Sequence, residues 1–325
     1  MPSYSGVWTL PAQYQAKGLG LWNPPTLLFL GLFAGGYSSG TTRFNTIDYV
    51  TITSTGNATA FGVLTTATGF GLAGCGSTTR GLFGGGTTSV DTGGTSTITY
   101  VTFATTGNAT SFGVLASARQ NTSACSSSTR GVWAGGILSG TTTSSINYVT
   151  IATTGNATSF GNLTIANYRL AGCSSPTRGI FAGGQDPDTG SALDFINYIT
   201  IATTGNGTTF GTLESAKNLL GSCSSSTRGL FGGGGGGTPL SISYVTIATT
   251  GNSVYFGDLS YGGGSPNGQA AASSELRGLF GGGSGPTNVI NYVTIATTGN
   301  STTFGQLTVA RQQLGACSSA SGGVQ

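Results

Sequence analysis

Alternating apolar and polar positions recur along the chain in six closely similar units. Residues 148–161, YVTIATTGNATSFG, give the clearest copy: a β-branched run, a Thr-Thr-Gly-Asn segment, and a second run that ends in an aromatic residue. This pattern predicts two short strands joined as a β-hairpin, with Gly-Asn at the turn because both residues tolerate left-handed backbone. In every copy a Phe follows the first Tyr by twelve residues: Tyr49 and Phe61, Tyr100 and Phe112, Tyr148 and Phe160, Tyr198 and Phe210, Tyr244 and Phe256, Tyr292 and Phe304.

A second phrase precedes each of these hairpins. It is an apolar run that ends in paired glycines, as in RGIFAGG at 178–184, and a run of small residues comes before it, as in LAGCSS at 170–175. The Ser-rich link between the two runs predicts a turn, so each unit holds two hairpins and four strands. The predicted glycine pairs are Gly35 and Gly36, Gly84 and Gly85, Gly135 and Gly136, Gly183 and Gly184, Gly232 and Gly233, and Gly281 and Gly282.

The spacing of the units predicts the fold. The glycines of successive Gly-Asn pairs lie 51, 48, 50, 46 and 48 residues apart. Four short strands at this period are typical of propeller blades, so we predict an all-β, six-bladed β-propeller with four-stranded blades. The first unit lacks the run of small residues, and an extra copy, LGACSS at 314–319, follows the last unit. This C-terminal strand is therefore predicted to complete blade 1 and to leave no open edge.

Residues 1–26 do not share the repeat and are predicted to form a separate docking arm, with the propeller spanning 27–325. Pro11 and Gly18 suit the start and the end of a short helix in the arm. Trp8, Tyr14 and Trp22 give the arm large apolar side chains, which makes them candidates for binding a partner.

Composition excludes several classes of function. Charged residues make up 6% of the chain, histidine is absent and the net charge is +3, so nucleic-acid binding is not expected. The apolar stretch at residues 26–33 is too short to cross a bilayer, so we expect no membrane insertion. The eight acidic residues are scattered, and without histidine neither a Ser-His pair nor a His-ligated metal can form. We therefore predict no enzymatic activity and no cofactor.

The five cysteines occupy the same phrase in successive units. No Cys-X-X-Cys motif marks a zinc site, and equivalent residues of different blades would need Cα atoms within about 7 Å to form a disulfide. Buried, free thiols are therefore predicted for Cys75, Cys125, Cys173, Cys223 and Cys317.

Two sets of charged residues are candidate binding sites. Asp186, Asp188 and Asp194 share one loop and could supply oxygen ligands to Ca²⁺, although their spacing does not fit an EF-hand and a solvated acidic loop is the alternative. Five arginines follow the Ser-rich turn, where the first unit has Leu30, and either pack over a strand or form a basic rim for acidic partners or anionic glycans. These arginines are Arg80, Arg130, Arg178, Arg228 and Arg277.

The two faces of the ring are predicted to differ. The arginine turns and the Gly-Asn segments should share the regular face, because successive strands alternate in direction. The opposite face should carry the loops that vary, together with blade connections that include Arg119, Arg169, Lys217 and Tyr261. We predict that this irregular face binds a partner. Its loops are 37–46, 87–97, 137–145, 185–195, 235–241 and 284–289.

At this level of detail the chain resembles kelch repeats over residues 30–319. The glycine pairs, the variable loop after them and a later basic residue at Arg119, Lys217 and Arg311 carry this resemblance. The Tyr and Phe are farther apart than the kelch Tyr and Trp, and the usual Tyr-Asp step is missing. Resemblance to kelch repeats implies a binding scaffold and does not identify a ligand.

The arm gives a second resemblance. Residues 5–22, SGVWTLPAQYQAKGLGLW, look like a segment near the start of some tail- and virion-associated proteins of bacteriophages. This resemblance implies a virion structural protein, made in the host cytoplasm, that docks on other virion proteins through the arm. The propeller would be displayed on the tail, fibre or baseplate and would bind a host surface protein or glycan. The alternatives are a capsid decoration protein without a receptor role and a cellular kelch-like interaction scaffold.

Overall fold

The computed structural model describes residues 29–38, 42–88, 93–260 and 266–320, which form 27 β-strands, numbered β1 to β27 in chain order, and no helix. The predicted arm, with Trp8, Tyr14 and Trp22, lies outside the described residues. Within the described ranges there is no helix of the length and apolarity that a bilayer crossing requires.

Four classes of strand build the six sheets. The innermost strands are β4 (Ala73–Gly76), β8 (Ser123–Ser126), β14 (Ala171–Ser174), β18 (Gly221–Ser224), β23 (Ala270–Ser273) and β27 (Gly315–Ser318). The second strands are β1 (Leu30–Ala34), β5 (Arg80–Gly84), β9 (Arg130–Ala134), β15 (Arg178–Ala182), β19 (Arg228–Gly232) and β24 (Arg277–Gly281). The third strands are β2 (Thr46–Thr51), β6 (Thr95–Thr102), β12 (Ser145–Thr150), β16 (Leu193–Thr200), β21 (Ser241–Thr246) and β25 (Thr287–Thr294). The outer strands are β3 (Thr59–Val63), β7 (Thr110–Arg119), β13 (Thr158–Asn162), β17 (Thr208–Asn218), β22 (Val254–Asp258) and β26 (Thr302–Arg311).

Three further strands are two residues long. β10 (Ile137–Leu138) and β11 (Thr141–Thr142) pair with each other, and β20 (Gly235–Gly236) adds to the edge of β17.

Each blade is an antiparallel sheet, and the ring is closed by both ends of the propeller. In blade 1 the order is β27, β1, β2, β3, so the last strand of the chain pairs with the first. The register places Ser318 opposite Gly31 and Gly315 opposite Ala34. The innermost strands contact one another in the cyclic order β27, β4, β8, β14, β18, β23 and back to β27. The predicted six-bladed propeller, with blade 1 completed by the C-terminal strand, is therefore confirmed.

The hydrophobic core lies between blades rather than within them. Each of six core clusters combines side chains of two neighbouring blades, as Leu82 of blade 2 does with Trp133 and Val149 of blade 3. Burying such side chains is the main stabilising contribution to the packing of a blade on its neighbour. A blade alone would expose one apolar face, so the ring is the unit that buries the core.

The glycine pairs end the second strands in left-handed backbone. In blade 1 the pair is Gly35 and Gly36, with φ of 65° and 91°. In the three blades with a Gly-Gly-Gly run, the left-handed pair lies one residue later than the sequence pairing suggested, because the first glycine is the last residue of the strand. These pairs are Gly85 and Gly86, Gly233 and Gly234, and Gly282 and Gly283.

The Gly-Asn segments correct one sequence interpretation. The outer hairpins are present, but Gly56 and Gly107 do not adopt positive φ, and seven residues (52–58) join β2 to β3. The Gly-Asn segment instead pairs with the outer strand of the preceding blade. Asn108 Oδ1 accepts the backbone N–H of Val63 at 3.2 Å, and Ala109 N–H donates to the Val63 carbonyl at 2.8 Å. A motif that looked like a local turn is therefore an inter-blade clamp.

The clamp demands glycine in the strand that it crosses. A Cβ on Gly113 of blade 2 would overlap the carbonyl of Gly155, which belongs to the clamp of blade 3. The equivalent glycines of the other blades face the same obstruction. They are Gly62, Gly161, Gly211, Gly257 and Gly305.

The blades alternate between two forms. In blades 2, 4 and 6 the third strands have 8 residues and the outer strands have 10, 11 and 10. In blades 1, 3 and 5 the same strands have 6 and 5 residues. The long outer strands carry a buried cation, Arg119, Lys217 or Arg311, where the alternate blades have Thr68, Asn167 and Pro266.

Candidate functional site

The regular face carries the five arginines, as predicted, and each joins two blades. Arg178 of blade 4 donates to the carbonyls of Ile247 and Ala248 in blade 5 at 3.0 and 2.8 Å. Its guanidinium carbon lies 4.5 Å from the ring centroid of Tyr198, a favourable cation–π geometry. Arg80, Arg130, Arg228 and Arg277 repeat this arrangement.

The tyrosine under each arginine also meets the phenylalanine twelve residues later. The ring centroids of Tyr198 and Phe210 lie 6.0 Å apart in an edge-to-face arrangement. The regular face thus repeats one arrangement of Arg, Tyr and Phe, in which each of the five guanidinium groups contacts a tyrosine ring and donates hydrogen bonds within the protein. Docking of a partner on the five arginines stays a prediction.

The buried cations lie in crevices between blades. Arg119 donates to the Gly135 carbonyl, to Ser145 and, at 2.7 Å, to Asn147 Oδ1, all in blade 3. Burial lowers the pKa of Arg119 to about 10. Lys217 Nζ donates to the Ser241 carbonyl and hydroxyl, and burial lowers its pKa to about 8. These side chains are enclosed, so Arg119 and Lys217 do not present charge on the irregular face.

A central channel runs through the ring of innermost strands. Its inner part is a cavity of about 60 Å³ lined by residues of all six innermost strands, most of which contribute Cys and Ser. Ser174 Oγ donates to the Ser126 carbonyl at 2.6 Å and accepts the Ser126 N–H at 3.3 Å. The same reciprocal pair joins Ser224 to Ser174, Ser273 to Ser224, and Ser126 to Gly76. These hydrogen bonds link the innermost strands of blades 2 to 6 in series within the ring.

The cysteines lie beside this ring as buried, free thiols, which confirms the prediction. Each packs against a glycine of the next blade's second strand, as Cys75 does against Gly131, and Ala272 takes the place of cysteine in blade 6. Burial raises the pKa of the Cys75 thiol well above its ordinary value. A protonated, enclosed thiol is a poor nucleophile, so the cysteines are packing residues.

The channel opens on the irregular face through a ring of left-handed residues. One residue per blade, two positions before the first residue of the innermost strand, adopts φ between 49° and 76°. Four of the six are not glycine, and the left-handed region costs other residues roughly 1 kcal/mol or more each. The six are Gly71, Asn121, Arg169, Leu219, Gly268 and Gln313.

Backbone hydrogen bonds link these residues around the mouth. Arg169 N–H donates to the Asn121 carbonyl at 3.0 Å, and Leu219 N–H donates to the Arg169 carbonyl at 2.9 Å. Gly268 and Gln313 continue the series at 2.9 and 2.6 Å. The left-handed conformation is found where these amides donate to the neighbouring blade, which explains why the chain holds it at non-glycine residues.

Two amides at the mouth have unpaired oxygen atoms. Asn121 and Gln313 are 6% and 8% exposed, and neither Asn121 Oδ1 nor Gln313 Oε1 has a hydrogen-bond partner. Both residues line a cavity of about 120 Å³, in which Arg169 is the charged lining residue and no described lining residue is acidic. Buried amide oxygens are ordinarily paired, so these two oxygens mark a place where a donor is missing.

Aromatic and basic side chains surround one side of the mouth. Tyr37 pairs through its backbone with Gln312, and its ring stacks on Phe70 with centroids 4.2 Å apart. The guanidinium carbon of Arg43 lies over the Phe70 ring, 5.2 Å from its centroid. Burial raises the pKa of Tyr37, while the positive charges of Arg169 and Arg43 oppose the rise.

Arg169 crosses from the mouth to a variable loop. Its Nη1 donates to Gln185 Oε1 at 2.7 Å, its guanidinium lies 5.5 Å from the ring of Tyr168, and its Nε has no partner. The sequence had placed Arg169 among the blade connections of the irregular face, and the structure brings it to the channel. The mouth therefore combines amide oxygens, guanidinium donors and aromatic surface.

The acidic loop is organised by its own hydrogen bonds. Asp186 Oδ1 accepts the backbone N–H groups of Asp188 and Thr189 at 2.8 and 3.2 Å. Across the described ranges, no three His, Cys, Asp or Glu side chains are grouped so as to hold a metal ion. The loop with Asp186, Asp188 and Asp194 therefore forms a turn on the irregular face, and its three carboxylates do not converge.

Asn121 and Gln313 were not among the candidates from the sequence. One signal could have pointed to them: Gly71 and Gly268 occupy the same position in other units, and a glycine there indicates positive φ. No protein-family model matches the chain, and no curated protein sequence matches it significantly.

Proposed function

We propose that this protein is a bacteriophage virion structural protein, a kelch-like propeller carried on the tail, fibre or baseplate that binds a host surface receptor. The observation that carries the proposal is the contrast between the two faces of one rigid ring. One face repeats the same Arg–Tyr–Phe stack in five blades. The other face carries the dissimilar loops and the channel mouth. Rigid scaffolds with variable loops are how binding proteins place recognition residues.

Two features of the sequence support the virion context and the kelch-like character. The glycine pairs and the later basic residues, Arg119, Lys217 and Arg311, are the kelch-like marks. Residues 5–22 resemble the start of phage tail- and virion-associated proteins, so we assign attachment to other virion proteins to the arm. The irregular face is then free to meet the host surface.

The test locates the full-length protein on phage particles by cryo-electron microscopy of tagged virions, together with an adsorption assay. Density at the tail, and inhibition of adsorption by an excess of the free protein, are the expected results. Density on the capsid with unchanged adsorption would identify a decoration protein instead. Absence from particles would overturn the proposal and favour a cellular interaction scaffold.

A loop exchange tests which face binds. Replacing the 185–195 loop with the 137–145 loop of blade 3 keeps the ring and changes the irregular face. Host-cell binding should fall, whereas the control variant Arg178→Gln on the regular face should bind as the unaltered protein does. The reverse outcome would assign recognition to the regular face.

A further inference from the structure

We propose that the channel mouth is a binding site for a carboxylated sugar, such as the terminal acidic residue of a surface glycan. This inference rests on the proposed function, because it names the receptor chemistry and the residues that read it. The site is formed by Asn121, Arg169 and Gln313 at the mouth, with Tyr37 and Phe70 beside them.

The unpaired amide oxygens favour a ligand that carries uncharged hydrogen-bond donors. Asn121 Oδ1 and Gln313 Oε1 lack donors although both side chains are more than nine-tenths buried. Leaving a buried acceptor unpaired costs free energy, which a ligand hydroxyl recovers when it donates to that acceptor. Both residues line the same cavity, so a small rotation of either amide presents its oxygen to one ligand.

The charge of the site selects an anion. Arg169 is the charged residue of the lining, and it uses one N–H group in a hydrogen bond to Gln185. The remaining guanidinium N–H groups can donate to a carboxylate as a parallel pair. Arg43 adds a second positive charge beside Phe70, and no described lining residue of the cavity is acidic.

The aromatic pair supplies the apolar contact that a sugar ring needs. Tyr37 and Phe70 stack beside the mouth, next to Gly71, which has no side chain of its own. The C–H face of a pyranose packs on such a surface, whereas an inorganic anion gains nothing from it. Amide acceptors, guanidinium donors and an aromatic face together distinguish a sugar acid from a simple anion.

The left-handed backbone offers variants that remove side chains without straining the fold. Arg169 and Asn121 have φ of 59° and 53°, which glycine adopts without steric cost. Arg169→Gly and Asn121→Gly therefore test binding, and Ser139→Gly is the control, because Ser139 is an exposed left-handed residue (φ 47°) that does not line the cavity. Circular dichroism and thermal melting of all three should resemble those of the unaltered protein.

The experiment titrates the full-length protein with N-acetylneuraminic acid, glucuronic acid, glucose and inorganic phosphate, using calorimetry and saturation-transfer NMR. We expect an acidic sugar to bind more tightly than glucose or phosphate, Arg169→Gly to weaken that binding at least ten-fold, and Ser139→Gly to leave it unchanged. Equal binding by Arg169→Gly and the unaltered protein, or binding of phosphate as tight as that of the sugars, would overturn the inference. So would the absence of binding to either acidic sugar.

The adsorption assay separates this inference from the proposed function. If phage particles lacking the protein fail to adsorb but Arg169→Gly particles adsorb normally, the receptor role stands and the mouth is not its site. If acidic sugar binds at the mouth but particles lacking the protein adsorb normally, the site stands and the receptor role falls.

Discussion

Arg311 and Asp48 form an ion pair 2.9 Å apart, with neither side chain exposed to solvent. The pair joins the outer strand of the last blade to the third strand of the first, so it lies at the point where the ring closes. Arg311 also donates to the carbonyls of Gly35, Thr46 and Phe33. One side chain thus holds both sides of the closure.

Replacing Asp48 should destabilise the protein, and the loss should be greater the fewer interactions the new residue makes with Arg311. Asp48→Ala leaves the buried charge of Arg311 without its counterion and should cost about 3–5 kcal/mol in free energy of unfolding. Asp48→Asn should cost less, because the equivalent Asn147 accepts a hydrogen bond from Arg119. Urea denaturation of the three proteins checks the order, and an alanine variant as stable as the unaltered protein would contradict it.

The same comparison predicts the effect of adding a carboxylate. Asn147→Asp gives Arg119 the counterion that Arg311 already has, and it should leave stability unchanged or raise it by about 1 kcal/mol. Arg119 should then titrate at higher pH than its present value of about 10. A loss of more than about 1 kcal/mol in urea denaturation would show that carboxylate burial outweighs the pairing.

Removal of the closing strand should abolish cooperative folding. A chain that ends at Gln313 loses β27, which pairs with β1 over four residues, and the buried side chains of Leu314 and Cys317. About four backbone hydrogen bonds at ~1 kcal/mol each are a large share of the ~5–15 kcal/mol stability of a typical domain. A chain that ends at Ala320 keeps all the strands that the structure describes and is the control. A sharp, unshifted melting transition in the shorter chain would contradict the closed ring.

The inter-blade clamp predicts opposite outcomes for two nearby glycines. Gly113→Ala places a methyl group against the carbonyl of Gly155 and should cost about 3 kcal/mol. Gly107→Ala has no atom within 4 Å of the added carbon and should change stability by less than about 0.5 kcal/mol. Thermal melting of both variants makes the comparison. Equal losses of stability in the two variants would show that the outer strand and the neighbouring Gly-Asn segment do not pack tightly at Gly113.

The buried thiols predict a loss of stability in alkali. Burial raises the pKa of all five cysteines in the folded protein above their ordinary 9.0, whereas the unfolded chain ionises near that value. Unfolding then releases protons above pH 9, so each thiol lowers the free energy of unfolding by about 1.4 kcal/mol per pH unit. Below pH 9 the contribution is constant.

Cys173→Ala isolates one thiol, because Ala272 shows that the fold accepts alanine at this position. Urea denaturation from pH 8 to 10.5 should give the variant a shallower decline than the unaltered protein. Lys217, whose pKa is lowered to about 8, makes the free energy of unfolding rise with pH over this range. Its contribution cancels in the comparison because both proteins retain Lys217. Parallel curves would contradict the assignment.

The number of strands, their order and the closure of the ring could be predicted from the sequence. The extra phrase at 314–319 was enough to place the C-terminal strand in blade 1. The Gly-Asn interpretation was wrong because the partner of Asn108 is Val63 of another blade, and local turn preferences contain no information about that contact. The unpaired amides of Asn121 and Gln313 were missed because left-handed backbone at non-glycine residues follows from the geometry of the ring.

The alternation of long and short blades makes a pair of blades the smallest unit whose threefold repetition reproduces the ring. Each pair spans about two repeat lengths and carries one buried cation, which reaches into the next pair. If such a two-blade peptide were made as three separate copies, the copies would meet at the three blade junctions that Arg119, Lys217 and Arg311 join in the single chain. The propeller therefore corresponds to three two-blade units joined in one chain. Because they are joined, the three units can carry different loops, whereas the three subunits of a homotrimer would carry identical loops.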